Sequence, residues 1–382
     1  MKFADVKEII DDFFQGKYKV EKFLGSSSFS DIYLIKHVFL NDLQVIKIIK
    51  KPLVLSSDLN LILYGARMAC QLKHENIIDI YDAGIIQGSR GNDFTDLVYF
   101  IMEYVPGGDL KKYMLSFINS NILIPISWAL FLVQQISFGL SYLHLSNPPV
   151  VHGDIKPSNI LLSFNSQERI VIKLSDFGFS RETSSTPYGS VIAGTRQFMA
   201  QECFKNEIYP STDIYALGVI FYILLTNHFP YDVDKYTLVE IIEGKPWRNT
   251  LILPSRYNDK VSSDLDDIVM KCLAVNHQDR YLDANELLNA IEIYLDENFQ
   301  YDKETFIYNN TIKKAFRLAL YEDKFDEAIE ILKDSNMVTV LEEVLVDANH
   351  DYASHTIIIE NISQIIKFNN KFDNMRLEKL KK

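Results

Sequence analysis

At 382 residues the chain is long enough for one large two-lobed domain with something smaller attached. Hydrophobic residues make up 47% and charged residues 24%, a globular balance that excludes an intrinsically disordered chain. The formal net charge of -12 argues against a nucleic-acid-binding protein, because affinity for a phosphate backbone rests on surplus Lys and Arg. Cys70, Cys203 and Cys272 are too widely spaced for a metal cluster and too few for a disulfide framework, so they read as reduced and structural. The opening MKFADVKEIIDDFF carries acids inside its first apolar segment, unlike a signal peptide. The longest apolar run, near Ile122 to Val133, contains Pro125 and falls short of the ~20 residues of a membrane span. A soluble protein of a reducing compartment is expected.

In chain order, Met1 to Phe14 reads as a short amphipathic helix packed on the segment after it. From Tyr18 to Lys51 the pattern has period two, as in YKVEKFLG, SDIYLIKH and LQVIKIIK, which predicts three antiparallel strands with turns near Ser26 and Asn41. A helix over Leu59 to Lys73 comes next, then strands around Ile77 to Gly84 and Leu97 to Tyr104, joined by the polar loop QGSRGNDFTD. VPGGDL is a linker and helix start. Helical spacing marks Leu110 to Leu115, Trp128 to Leu145, Ser211 to Leu225, Tyr236 to Ile242, Asp264 to Cys272 and Ala284 to Leu295. Sheet first and helices after predicts an α+β protein of two unlike lobes with a cleft between them. The expected domains are an N-terminal helical extension at 1–17, a small mostly β lobe at 18–104, a large helical lobe at 105–298 and an all-helical C-terminal extension at 299–382. Within that extension, Thr311 to Ser335 resembles a single tetratricopeptide-type hairpin. It reads either as an extension docked on the large lobe or as a site for a protein partner.

Two stretches interrupt the helices. VVHGDIKPSNILL, from Val150 to Leu162, sets Asp154, Lys156 and Asn159 at fixed spacing between apolar residues that read as short buried strands. IKLSDFGFS, from Ile172 to Ser180, ends an apolar run at Asp176, with Gly178 for a sharp turn. Two carboxyl groups and an amide converging from two hairpins suit a divalent ion that bridges phosphates, since hard oxygen ligands offset a charge that is otherwise costly to assemble.

HGDIKPSN followed by DFG resembles the catalytic loop and metal-binding loop of the eukaryotic-type (Hanks-type) serine/threonine protein kinases, and the likeness runs from about Tyr18 to Leu295. It implies a bilobal fold, ATP and magnesium (manganese as a substitute) as cofactors, and a protein substrate. Asp154 then orients or deprotonates the substrate hydroxyl, Lys156 touches the transferring phosphate, and Asn159 and Asp176 carry metal ions. Lys47 in QVIKII matches the strand lysine that grips the non-terminal phosphates, and Thr195 helps position Asp154 and Lys156. For the nucleotide, the resemblance points to Gly25 and Ser27 in the phosphate-cradling loop, Phe29 capping the cleft, and Ile32 and Val45 over the base. Met102 stands behind adenine, Glu103 and Val105 supply its backbone contacts, Asp109 touches the ribose and Leu161 forms the floor. Asp213 matches the acid that braces the catalytic loop, and Glu202 with Arg280 matches a buried ion pair. The HGDIKPSN variant and the compact chain resemble bacterial kinases, which implies a cytoplasmic protein, or one delivered into a host cytosol by an intracellular bacterium.

The chain departs from the pattern in several places. Ser27 and Ser30 replace two glycines of the phosphate-cradling loop, which narrows its backbone freedom. Gly65 stands where the glutamate partner of Lys47 is usual, so the lysine must be positioned otherwise, by Asp176 or by the phosphates. Gly153 replaces an arginine that answers a phosphate on the activation segment, which implies that the segment folds without one. Gln201 replaces a proline. The expected function is protein serine/threonine phosphorylation. The alternatives are a kinase-shaped scaffold with weak or no transfer, and a small-molecule or lipid kinase.

Overall fold

The apolar alternation between Tyr18 and Ile49 is answered by three antiparallel strands. A computed structural model describes residues 3–26, 30–49, 70–86, 89–90, 93–94, 97–120, 123–164, 170–177, 181–182, 196–205 and 207–298. Ser27, Phe29, Gly65, Thr195, the expected helix from Leu59 as far as residue 69, and the tail from 299 with its tetratricopeptide-like hairpin lie outside the described residues. The chain divides into two compact units, Met1–Val105 with Asp176–Phe179, and Pro106–Ser175 with Ser180–Lys382.

The first unit is built on a five-stranded sheet. Its strands are β1 (Tyr18–Ser26), β2 (Ser30–His37), β3 (Asp42–Ile49), β4 (Ile80–Ile86) and β7 (Leu97–Glu103), in the order β1-β2-β3-β7-β4 with all neighbours antiparallel. The loop expected between β4 and β7 carries a further two-residue ladder of β5 (Ser89–Arg90) and β6 (Asp93–Phe94). One sheet face, with Tyr33, Ile35, Ile46, Ile48 and Ile101, joins Ile10 of helix α1 (Phe3–Phe13) in a single core cluster. The ring of Phe14, just beyond α1, stands edge-on to Tyr18 and Tyr99 at 5.0 and 5.1 Å. The N-terminal helix therefore packs on the sheet, as its amphipathic pattern predicts.

The second unit is helix-rich: α2 (Leu110–Ser120), α3 (Ile126–His144), α4 (Pro210–Thr226), α5 (Leu238–Ile242), α6 (Ser263–Cys272) and α7 (Ala284–Asn298). Short strands β8 (Val150–Val151), β9 (Ile160–Phe164), β10 (Ile170–Leu174) and β11 (Arg181–Glu182) form two small ladders, β9 with β10 and β8 with β11. The order of a β-rich part followed by a helix-rich part is the expected α+β class. Every residue of α4 from Ser211 to Thr226 is buried, so this helix is apolar on all sides and forms the centre of the unit. The apolar run expected to fall well short of a membrane span extends past Val133. Pro125 precedes α3 as its cap and does not interrupt it, so the apolar segment runs on to His144 and, at 19 residues, is long and apolar enough to cross a membrane. Its buried side chains, Leu130, Leu132, Val133, Ile136 and Leu140 among them, pack it against α4 and α7 as a core helix.

Candidate active site

In the second unit the site is a braced turn. Asp213, in the first turn of α4 and 1% exposed, accepts the backbone N–H of His152 at 2.8 Å and of Gly153 at 2.9 Å, one on each carboxylate oxygen. Nε2 of buried His144, at the end of α3, reaches the same Asp213 Oδ2 at 3.0 Å. His144 Nδ1 accepts the N–H of Ala284, so Nε2 carries the proton toward the carboxylate. Gly153 sits at φ +75°, a left-handed conformation that a side chain resists. Glycine in the place of the usual arginine thus removes both a guanidinium and a backbone strain.

Past that turn the three polar residues of HGDIKPSN meet. Lys156 Nζ lies 2.6 Å from Asp154 Oδ2, and Asn159 Nδ2 donates to the same oxygen at 2.9 Å and to the Asp154 carbonyl at 2.8 Å. Asp154 and Asn159 are 7% and 6% exposed, so their polar groups require these partners. A single 3-10 turn, Pro157–Asn159, makes the convergence possible, with proline at its start and Asn159 N–H closing on the Lys156 carbonyl at 2.9 Å. The second stretch is tied to the first through Ser175, whose N–H and hydroxyl both donate to the Asn159 carbonyl at 2.9 Å, while His152 Nε2 contacts the Ser175 carbonyl at 3.1 Å.

The linker ahead of α2 joins this turn from another side. Leu162 N–H donates to the Gly108 carbonyl, and Asp109 bridges Leu161 as an isolated β pair. A side chain on Gly107 would place its Cβ 2.2 Å from the Leu162 carbonyl oxygen, so the first glycine of VPGGDL permits that approach. Asp109 Oδ1 accepts the Lys112 N–H at 2.9 Å and so caps α2.

In the first unit, register places the remaining candidates on one sheet face. Ile32 pairs with Lys47, Lys47 with Phe100, and Val45 with Met102, and alternation sets all five on the same side. Lys47 Nζ stands 2.6 Å from Asp176 Oδ1, with side chains 14% and 32% exposed. The carboxylate of Asp176, one of the two substitutes expected for the glutamate partner, is thus in contact with Lys47. Asp176 is held at φ +69° and Phe177 behind it is buried. Gly25 lies opposite Ile32 on β1 and β2, next to a bulge between Phe23 and Gly25. Glu103 N–H donates to the Asp79 carbonyl at 2.9 Å. Val105 is buried, and its backbone N–H and carbonyl have no hydrogen-bond partner among the described residues.

Reasoning from sequence did not single out His144 or Ser175. A histidine closing a long apolar helix is the signal that could have pointed to the first, and Ser175 had none. Burial pushes the Cys203 and Cys272 thiols up to about 12, which agrees with reduced, unreactive cysteines.

Each unit by itself carries an oxygen donor of the kind magnesium takes. In the second unit, Asn159 spends both side-chain N–H groups on Asp154, which leaves its side-chain oxygen Oδ1 without a partner among the described residues; in the first unit, Asp176 carries a carboxylate. No cluster of three or more His, Cys, Asp or Glu able to hold a metal occurs among the described residues. Magnesium takes one or two protein oxygens and completes its shell with phosphates and water.

Residues 18–290 match the family model for the protein kinase domain. The chain is 28% identical over 276 residues to serine/threonine-protein kinase PknB of Mycobacterium leprae, covering 71% of this chain and 42% of that protein. It is 27% identical over 327 residues to serine/threonine-protein kinase PrkC of Bacillus subtilis, covering 84% and 45%. To serine/threonine-protein kinase ULK1 of Homo sapiens it is 29% identical over 283 residues, covering 72% and 25%. The chain therefore spans less than half the length of these curated relatives.

Proposed function

We propose a reaction for a chain that belongs to the protein kinase domain family: transfer of the γ-phosphoryl group of ATP to serine or threonine hydroxyls of a protein. The observation that carries this reading is the closed set Asp154, Lys156 and Asn159, held by Asp213 through two backbone bonds. A carboxylate fixed that firmly, with a cation 2.6 Å away, is suited to receive a hydroxyl proton while the cation offsets charge on the group being transferred. Lys47 holds Asp176 in place and is positioned to offset phosphate charge. Asn159 and Asp176 are the proposed metal residues. Magnesium–ATP supplies the phosphoryl group and the divalent charge that makes its oxygens easier to approach. The backbone groups of Val105, unpartnered among the described residues, are with Glu103 the proposed adenine contacts, with Ile32, Val45, Met102 and Leu161 around the base, Gly25 at the phosphates and Asp109 at the ribose. Ser27, Phe29 and Thr195 remain proposed from the resemblance alone.

The domain boundaries at 17, 104 and 298, a cytoplasmic setting, and a protein partner for the tail belong to the same proposal. Transfer from radiolabelled ATP to a generic basic protein, paired with calorimetric titration of magnesium–ATP, tests it. Asp154→Ala and Asp176→Ala should each abolish transfer, and only the second should greatly weaken binding. Transfer that survives Asp154→Ala overturns the mechanism. Binding without transfer in the unaltered protein would favour the scaffold reading.

A further inference from the structure

The turn between β2 and β3 puts three consecutive apolar residues in water: Val38 is 49% exposed, Phe39 82% and Leu40 69%. Such a run at a loop tip opposes folding logic, which keeps apolar runs off the surface unless something covers them. The tip is shaped in advance. Leu40 N–H donates to His37 Nδ1 at 3.2 Å, Val38 N–H donates to the Lys17 carbonyl at 2.9 Å, and Asn41 at φ +53° closes the turn. Beside it Lys19 and Lys36 are direct cross-strand partners, a like-charge pairing that destabilises a ladder unless an anion sits between them. Alternation sets Lys17 and Val38 on the face of that pair. Two acids lie close by, Glu21 with its carboxylate 3.6 Å from Lys19 Nζ and Asp42 at the start of β3.

We propose that this tip is a peripheral membrane contact: Val38, Phe39 and Leu40 enter the interface of an anionic lipid bilayer while Lys17, Lys19 and Lys36 meet its headgroups. A convex apex of three residues is far too small for a stable protein interface, which buries about 800 Å² per partner. A bilayer yields around the apex, and each buried apolar group and each lysine near the surface adds to affinity separately. The chain's net charge of -12 does not forbid this, since acids more than about 8 Å from the surface are screened at physiological salt.

Sedimentation of the full chain with phosphatidylcholine vesicles, alone or with about one third phosphatidylserine, tests the assignment. Binding is expected to the anionic vesicles only, to weaken with salt, and to fall more than about tenfold in Phe39→Ser/Leu40→Ser. Lys19→Glu/Lys36→Glu should lower it by a similar factor, about fivefold per lysine removed. Phe39→Trp keeps the apolar tip and gives a direct readout, a blue shift of its emission on adding anionic vesicles. No binding, equal binding to neutral vesicles, or no shift at position 39 overturns the proposal. Binding that survives the tip variants assigns membrane affinity to the basic finish at Lys379, Lys381 and Lys382, and also overturns it. A dimer in gel filtration that dissolves on Phe39→Ser makes the tip a contact between copies, and the membrane assignment then falls as well.

Discussion

Replacing Arg280 by methionine is expected to remove about 4 kcal/mol of folding free energy, the range for stranding one half of a buried ion pair being about 3–5 kcal/mol. Arg280 is 2% exposed and Glu202 6%. The guanidinium meets the carboxylate in a two-pronged contact, Nη1 to Oε1 at 2.6 Å and Nη2 to Oε2 at 3.0 Å. Its remaining N–H groups go to the carbonyls of Ala274, Ser211 and Val275 at 2.7, 3.1 and 2.9 Å. Methionine fills much of the space against Tyr215 but strands a carboxylate and three carbonyls together. Glu202 retains the Thr212 hydroxyl at 3.1 Å, which tempers the loss and places the cost mid-range. Against a total stability of about 5–15 kcal/mol this is severe. In urea, with a slope of about 2–3 kcal/mol per molar, the midpoint should drop by roughly 1.5 M. Glu202→Leu/Arg280→Met removes both charges and should recover about half of the loss. A single variant that costs less than about 1 kcal/mol, or a double variant no better than the single, would refute the assignment of a desolvated, mutually dependent pair.

Gly107→Ala should lower stability by about 2 kcal/mol and weaken nucleotide binding, because its Cβ would meet the Leu162 carbonyl at 2.2 Å and neither neighbour is a flexible side chain; an unchanged melting temperature would show that the linker yields freely. For the thiols, Cys272 rises from an ordinary value near 9 to about 12 through burial, so the stability linked to it is complete below pH 9 and is lost as pH climbs toward 12. At pH 8 a disulfide reagent should modify Cys70 first and reach Cys203 and Cys272 only on unfolding, since a pKa near 12 leaves roughly one thiolate in ten thousand. Rapid labelling of all three in the folded protein would contradict that.

Much of this was legible because periodicity reports burial. The strands of LQVIKIIK and SDIYLIKH end within two residues of their expected bounds, and every expected helix among the described residues is present. Boundaries slipped where polar residues continue a helix, as in α2, which runs past Leu115 to Ser120, and in α7, which runs past Leu295 to Asn298. The motif spacing announced that Asp154, Lys156 and Asn159 would meet. Spacing alone was silent on what holds them: Asp213 came only from the family resemblance and His144 was missed, because pairing across 60 or more residues leaves no local trace. Asp109 shows the other limit: one carboxylate in GGDL reads equally well as a ligand contact or a helix cap, and its Oδ1 accepts the Lys112 N–H.

Helix α4 carries Asp213 in its first turn, and from Ser211 onward it has no residue at the surface. Amide protons exchange with solvent by way of local openings, and the costliest openings belong to segments enclosed on every side. The turn at His152 and Gly153 is therefore moored to a segment whose opening is costly. Surface loops and helix ends can fluctuate on fast timescales while the position of Asp154 stays tied to a segment that opens only at high cost.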